Sequence, residues 1–538
     1  MRAGSSHAVT QASTNTPSGH LMKTRVASPR MDKRTPHPRP SLRGTALFTL
    51  ALSALAPSAV HAQVARRPPR TATVTAPATP NPFDGFFAQA QPRVRRLRNG
   101  LQVIAVHWPS PGIVAYYTMM RVGSRDEVEA GHSGFAHFFE HMMFRGTEAH
   151  PQHAYDAALQ ALGADNNAFT SNDYTCYTVT GPSSALATFV ELEADRFQHL
   201  SYTEQVFRTE AGAVRGEYQV WSSNPEQPMW EALSESAFSR HTYGHTTIGY
   251  LADVDLMPER YDYAQQFFHR YYTPDNATIV VVGDFEDAAL DALIDQHYAG
   301  WRGRRDRPAV PVEPAPTGGR RDLPWAGSSP PRAMIGYRIP AFMSEGRTTA
   351  ASLRETAALQ IIHGLAFEAS SPLYQSLVVQ QQSVLELGSY AADFARDPGI
   401  FVVSATLAPP ADASATTDVF APTLDAIQAE LEGIAGQADH GHGRPSAERI
   451  EAVRSHLLYS VAMTLETPAS VALFLSSYLA VGGALENVRA YFEALQTVTY
   501  EDVARAAQQY LTPSRRYVVT LREQAAPTPA TATTGGAQ

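Results

Sequence analysis

His137 and His141 stand four residues apart in the run His137-Phe138-Phe139-Glu140-His141, with Glu140 between them. Positions i and i+4 of an α-helix share a face, so the two imidazoles can converge on one metal ion. Glu140 falls on the same stripe, one turn beyond His137. There a carboxylate could accept a proton from a water activated by the ion. If the run is helical, one stretch supplies two metal ligands and a general base. The plainer reading, a helix that happens to display two histidines, gives Glu140 no task.

A catalytic zinc usually takes three protein ligands and keeps one position open. The third is sought in Phe207-Arg208-Thr209-Glu210-Ala211-Gly212-Ala213-Val214-Arg215-Gly216-Glu217-Tyr218. Glu210 and Glu217 share a helical face two turns apart. Seven residues span roughly 10 Å along a helix axis and a Zn–O bond is about 2.1 Å, so both cannot bind one ion. Spacing alone leaves open which of them is the ligand.

The surrounding runs are what must position these groups. Leu97 to Ile104 reads as a strand entered through the Asn99-Gly100 turn. Val122 to Glu127 and Gly134-Phe135-Ala136 lead into the histidine run, and Met142 to Thr147 leads out of it. Between the two acidic and histidine segments lie Gly163 to Thr170 and a strand ending at Val179. Near residue 271, Tyr271-Tyr272-Thr273-Pro274 precedes the β-branched strand Thr278 to Val282; Tyr510-Leu511-Thr512-Pro513 precedes Tyr517 to Leu521 in the same way. That recurrence points to two diverged copies. The stretch 302–331, rich in proline, arginine and glycine, reads as the linker between them.

Taken together, these runs resemble the pitrilysin/insulinase/mitochondrial-processing-peptidase family of zinc metallopeptidases, whose H-x-x-E-H order defines inverzincins. The resemblance covers roughly Arg93 to Glu523 and is stronger in the first half. It implies an α+β fold: two homologous mixed helix/sheet domains, 91–301 catalytic and 332–523 non-catalytic, forming half of a clamshell-type peptidase. It implies one Zn²⁺ per chain held by His137, His141 and Glu217, with Glu140 as the base and Glu210 as an outer carboxylate orienting a ligand. Asn167 and Ala168 become substrate contacts on an edge strand able to take an extended peptide by strand addition. The expected activity is metalloendopeptidase action on unfolded peptides. Its rival is a non-catalytic structural or assembly subunit that retains a zinc site.

The chain departs from the family at one place. Full peptidases of the family carry an arginine and a tyrosine in a C-terminal unit, and the aligned positions here are Val378 and Leu385, which cannot donate to a substrate carbonyl. Either a homologous partner chain supplies the pair in a hetero-oligomer, or another residue such as Tyr390 takes the role, which would allow a homodimer.

Composition narrows the field. The 538 residues carry a net charge of −9 with no basic cluster in the globular part, which gives nucleic-acid binding no electrostatic footing. Lys23 and Lys33 are the only lysines, so the mature chain has none for Schiff-base chemistry or a Walker loop. Cys176 is the only cysteine, which excludes an intrachain disulfide. His241-Thr242-Tyr243-Gly244-His245 and His440-Gly441-His442-Gly443 read as structural or surface loops rather than ligands. At the N-terminus, Lys33, Arg34, Arg39 and Arg43 precede the apolar run Thr45 to Ala56 and a small-residue site at Val60-His61-Ala62. Residues 1–62 read as an export signal, with 1–30 a mis-assigned start, and the run is too short to anchor the chain in a membrane. The expectation is an exported protein, periplasmic in a Gram-negative source, with a flexible lead-in over 63–90 and a disordered tail over 524–538.

Overall fold

β-Branched and aromatic residues dominate the two strands Ile113–Met120 and Ala277–Gly283, and nearly every residue in them is buried. Strands covered on both faces must lie inside a sheet rather than at its edge. The computed structural model, which describes residues 82–343, 346–391, 395–409, 418–437 and 439–524, places them at the centre of the first of two sheets. The expected export segment, the lead-in up to residue 81 and the tail from 525 onward lie outside the described residues.

The first sheet contains β1 (Arg93–Arg96), β2 (Gln102–His107), β3 (Ile113–Met120), β4 (Asp165–Thr170), β5 (Thr175–Pro182) and β6 (Ala277–Gly283), in the order β1-β2-β6-β3-β5-β4. The second contains β7 (Gly319–Trp325), β8 (Arg332–Arg338), β9 (Val384–Ala391), β10 (Ile400–Leu407) and β11 (Arg516–Glu523), in the order β7-β11-β8-β10-β9. Apart from β1 the two orders correspond strand for strand. Each sheet has one parallel pair, β2 with β6 and β7 with β11, and each pair falls at the same place. The two Thr-Pro breaks open short 3₁₀ turns immediately before the equivalent strands β6 and β11. Proline suits a first turn, where its missing N–H costs no hydrogen bond.

Side-chain alternation shows how the halves interlock. Along β3, Val114, Tyr116 and Met120 belong to the core of the first half, whereas Ala115, Tyr117 and Met119 join the core of the second. The period of two sends alternate side chains to opposite faces, and the outer face is covered by the helix Pro468–Gly482 from the other half. The exchange is mutual. The helix Glu226–Ala237 from the first half lies on β8 and β11, packing Met229 and Leu233 against Met334 and Val519. Polar contacts follow the same seam: Tyr174 donates to Ser477 Oγ at 3.0 Å, and Arg125 Nε donates to Asp397 Oδ2 at 2.6 Å. Among the described residues no single helix is long and apolar enough to cross a membrane.

Two boundaries differ from the sequence reading. The lead-in expected over 63–90 contains a helix, Pro82–Ala90, whose Phe83, Phe86 and Phe87 are buried. The phenylalanines repeat at i, i+3 and i+4, so one face of a short helix is apolar enough to dock. Phe83 stacks on Phe492 with ring centroids 3.7 Å apart. The linker expected over 302–331 contains β7, which pairs in parallel with β11 at the sheet edge. Proline is tolerated on an edge strand, which is how Pro324 hid it. Replacing Phe83 by alanine is expected to lower stability by about 3–5 kcal/mol, read as a shift of the denaturation midpoint; an unchanged midpoint would detach this helix from the core.

Candidate metal and catalytic site

The histidine run forms the helix Phe135–Met142. Its apolar residues Phe135, Phe138, Phe139 and Met142 follow the i, i+3, i+4, i+7 pattern and are all fully buried, which leaves His137, Glu140 and His141 on the opposite stripe. Phe139 stacks on Phe267 at 5.3 Å, and Phe138 meets Phe207 edge-on at 5.0 Å. Phe207 belongs to the helix Glu204–Ser222, which carries Glu210 and Glu217. That aromatic contact therefore packs together the two helices that carry the candidate ligands. At the N-terminus of the histidine helix, Glu127 accepts from the backbone N–H of Gly134 and of Ala136, each at 2.7 Å. These are donors that a helix start otherwise leaves unpaired. Burial pushes the Glu127 carboxyl up, and the two backbone hydrogen bonds oppose it.

The structure brings His137, His141 and Glu217 together: one ligand atom from each lies within 4.8 Å of the others. Glu217 Oε2 is 3.3 Å from His141 Nε2 and 3.7 Å from His137 Nε2. Tetrahedral zinc with bonds of about 2.0–2.1 Å separates its ligands by roughly 3.3 Å, so two imidazole nitrogens and one carboxylate oxygen fit that ion as a donor set. Among the described residues no other group of three satisfies the same test.

Glu210 does not reach this point. Its Oε1 is 2.9 Å from His141 Nδ1, and its Oε2 is 3.0 Å from Arg145 Nε. The spacing left either glutamate open as a ligand; in the fold Glu217 faces Nε2 and Glu210 faces Nδ1 of the same ring. Glu210 thereby fixes the orientation of that ring, and Arg145 offsets the charge of Glu210. His137 has no such partner: its buried Nδ1 is unpaired, and the ring is held by packing beside Trp221, 5.8 Å away.

Glu140 is buried beside the triad, and Thr170 Oγ1 donates to its Oε2 at 2.6 Å. Burial lifts its carboxyl to about 7 against that hydrogen bond. Burial also lowers His137 to about 4, helped by the neighbouring His141, so its lone pairs stay available. Burial works to lower His141 too, but its hydrogen bonds to Glu210 and Glu217 prevail and raise it to about 9. Burial would raise Glu217, yet its hydrogen bond to His141 and the charges of both histidines hold it below its ordinary value.

The other residues singled out by sequence are placed as follows. Asn167 and Ala168 lie on β4, the edge strand next to the histidine helix. Asn167 is exposed, whereas the Ala168 side chain is buried. Val378 packs on the second core, Leu385 is exposed, and Tyr390, on β9 of the second half, stands edge-on at 6.3 Å to Trp230 of the first half's helix Glu226–Ala237. His241 Nδ1 accepts from the Tyr243 N–H, and His241 Nε2 is 3.2 Å from Asp397, which makes the loop a junction between the halves. His440 and His442 pair with Glu432 and Glu430 at 2.6 and 2.7 Å. Sequence reasoning missed the part played by Glu127, because a cap eight residues ahead of its helix lies outside any local capping pattern. It also missed the Thr170 hydroxyl, although that residue closes the Asn167-Ala168-Phe169-Thr170 run.

With this geometry in hand, the chain can be set beside known proteins. Residues 103–250 match the family described as insulinase (peptidase family M16), and residues 260–436 match the peptidase M16 inactive domain. The zinc protease PqqE of Helicobacter pylori is 25% identical over 440 residues, covering 79% of this chain and 91% of its own. The β subunit of the mitochondrial-processing peptidase of Lentinula edodes is 24% identical, covering 78% and 87%. A crystal structure of a Helicobacter pylori protease superimposes with a TM-score of 0.71 at 24% identity, covering 81% of this chain and 100% of that one, which speaks for the fold.

Glu210→Ala removes the group that orients His141 and leaves Arg145 without its carboxylate. Zinc affinity is expected to fall about 10–100-fold, measured by competition with a chromogenic chelator. An unchanged affinity would make Glu210 a bystander.

Proposed function

The chain belongs to the insulinase family of peptidases, family M16, and from that premise we propose that it is a zinc-dependent metalloendopeptidase acting on unfolded peptides. The observation that carries this reading is the spacing of three donor atoms suited to zinc with a buried carboxylate, Glu140, beside them. His137, His141 and Glu217 would hold one Zn²⁺ per chain. When bound, the ion supplies Lewis acidity toward water and toward a peptide carbonyl.

The remaining work falls to the side chains. Glu140, with one oxygen held by Thr170, accepts the proton of the attacking water and returns it to the departing amine. Burial raises its carboxyl above the ordinary value, the direction that suits a group that must both take up and give back a proton near neutral pH. Glu210 keeps the His141 ring aimed. The free edge of β4 offers backbone hydrogen bonds to an extended peptide, and such pairing is tolerant of side-chain identity. Because only the backbone of Ala168 is available there, Asn167 is the side chain that would touch substrate.

The apolar Val378 and Leu385 support a further element, a homologous chain that brings an arginine and a tyrosine to the carbonyl. A homodimer meets the same need only if another residue supplies the donors. The basic and apolar N-terminal run supports export, to the periplasm in a Gram-negative source. A non-catalytic assembly role would leave the Glu140–Thr170 pair without a purpose.

Glu140→Gln is expected to retain zinc while turnover of a quenched peptide falls by about 10²–10⁴; near-normal rates would remove Glu140 as the base and with it this mechanism. The purified chain alone is expected to hydrolyse the same peptide feebly and to gain about 10²–10³ in turnover when mixed with the homologous Arg/Tyr chain. Full activity of the chain by itself would dismiss the partner.

A further inference from the structure

Thr170 ends β4 opposite Thr175 of β5, so it belongs both to the edge strand and to the wall of the site. Its hydroxyl has one proton to give. The nearest acceptor is Glu140 Oε2 at 2.6 Å; Thr175 Oγ1 is farther, at 3.5 Å. Thr175 spends its own proton on the carbonyl oxygen of Val122 at 2.9 Å. The proton of Thr170 is therefore committed to the carboxylate. No protein group among the described residues hydrogen-bonds the other carboxylate oxygen, Oε1.

The geometry points to Thr170 as the positioning residue of the general base. It pins one oxygen of Glu140 and so turns the other toward the reacting water. This rests on the reading of Glu140 as the base and extends it to a residue on the strand that receives the peptide. A glutamate carboxylate on three rotatable bonds would otherwise sample orientations that cannot take the proton, and holding a reacting group in place is worth orders of magnitude in rate. Thr170 is well suited to the task. β-Branching restricts its χ1, and its backbone is held in register with β5. Pairing of a peptide along β4 would order the strand and the base together, so the hydroxyl should act on turnover and leave binding alone.

The test uses the full chain with its activating partner, if one is needed, and a quenched peptide. Thr170→Val keeps the shape and strand preference of the residue and removes only the hydroxyl. Its kcat is expected to fall about 10–100-fold, with KM and bound zinc unchanged. Thr170→Ser is expected to restore most of the rate. In the Glu140→Gln background, Thr170→Val is expected to cost nothing further, since there is no longer a base to position. Wild-type kcat in Thr170→Val, a serine variant that fails to recover, or an equal loss in the Glu140→Gln background would each overturn the assignment. The underlying reading fails on a different result, full turnover by Glu140→Gln alone.

Discussion

Everything chemical in this protein depends on how an eight-residue helix, Phe135–Met142, is held. A helix of that length has little stability of its own in water. Phe135, Phe138, Phe139 and Met142 supply what it lacks by burying one face completely, while the Glu127 carboxylate satisfies donors at its start. The polar stripe of His137, Glu140 and His141 is thus fixed by its apolar back. Because Phe138 rests on Phe207, the same packing also positions the helix that brings Glu217.

The two sheets share one topology yet not one chemistry. The first ends at β4, an unpaired edge alongside the histidine helix; the second ends at β9, the equivalent edge, with no metal-ligand set near it among the described residues. Each half also covers part of the other, with Pro468–Gly482 on the first sheet and Glu226–Ala237 on the second. Neither sheet would have both faces dry without that exchange. The second half therefore stabilises the first even where it contributes no ligand.

Charge in the site is arranged in layers. Glu217 faces Nε2 of His141 while Glu210 faces Nδ1, and Arg145 lies behind Glu210. An imidazole held at one nitrogen by such an outer carboxylate is left aimed to offer the other. His137 is positioned differently, by burial and by Trp221. Thr170 then links Glu140, beside the His137–His141–Glu217 cluster, to the edge strand β4.

Much of this is legible in the residues alone, and the reason is periodicity. His137, Glu140 and His141 share a stripe because α-helices repeat every 3.6 residues, and the two Thr-Pro breaks betray the duplicated strands because proline marks turns locally. Other features have no local signature. The Pro82–Ala90 helix is short and follows a low-complexity stretch, and β7 contains a proline, so both resemble linker until their partners, Phe492 and β11, are seen. Spacing allowed either Glu210 or Glu217 to be the ligand; only the approach of one helix to another decided that Glu217 faces Nε2. Local pattern determines which side chains share a face, because that depends on backbone geometry a few residues long. Which faces meet, and hence the site itself, depends on contacts between residues 30 to 80 positions apart, such as Thr170 with Glu140 and Glu217 with His137, and these exist only once the chain has packed.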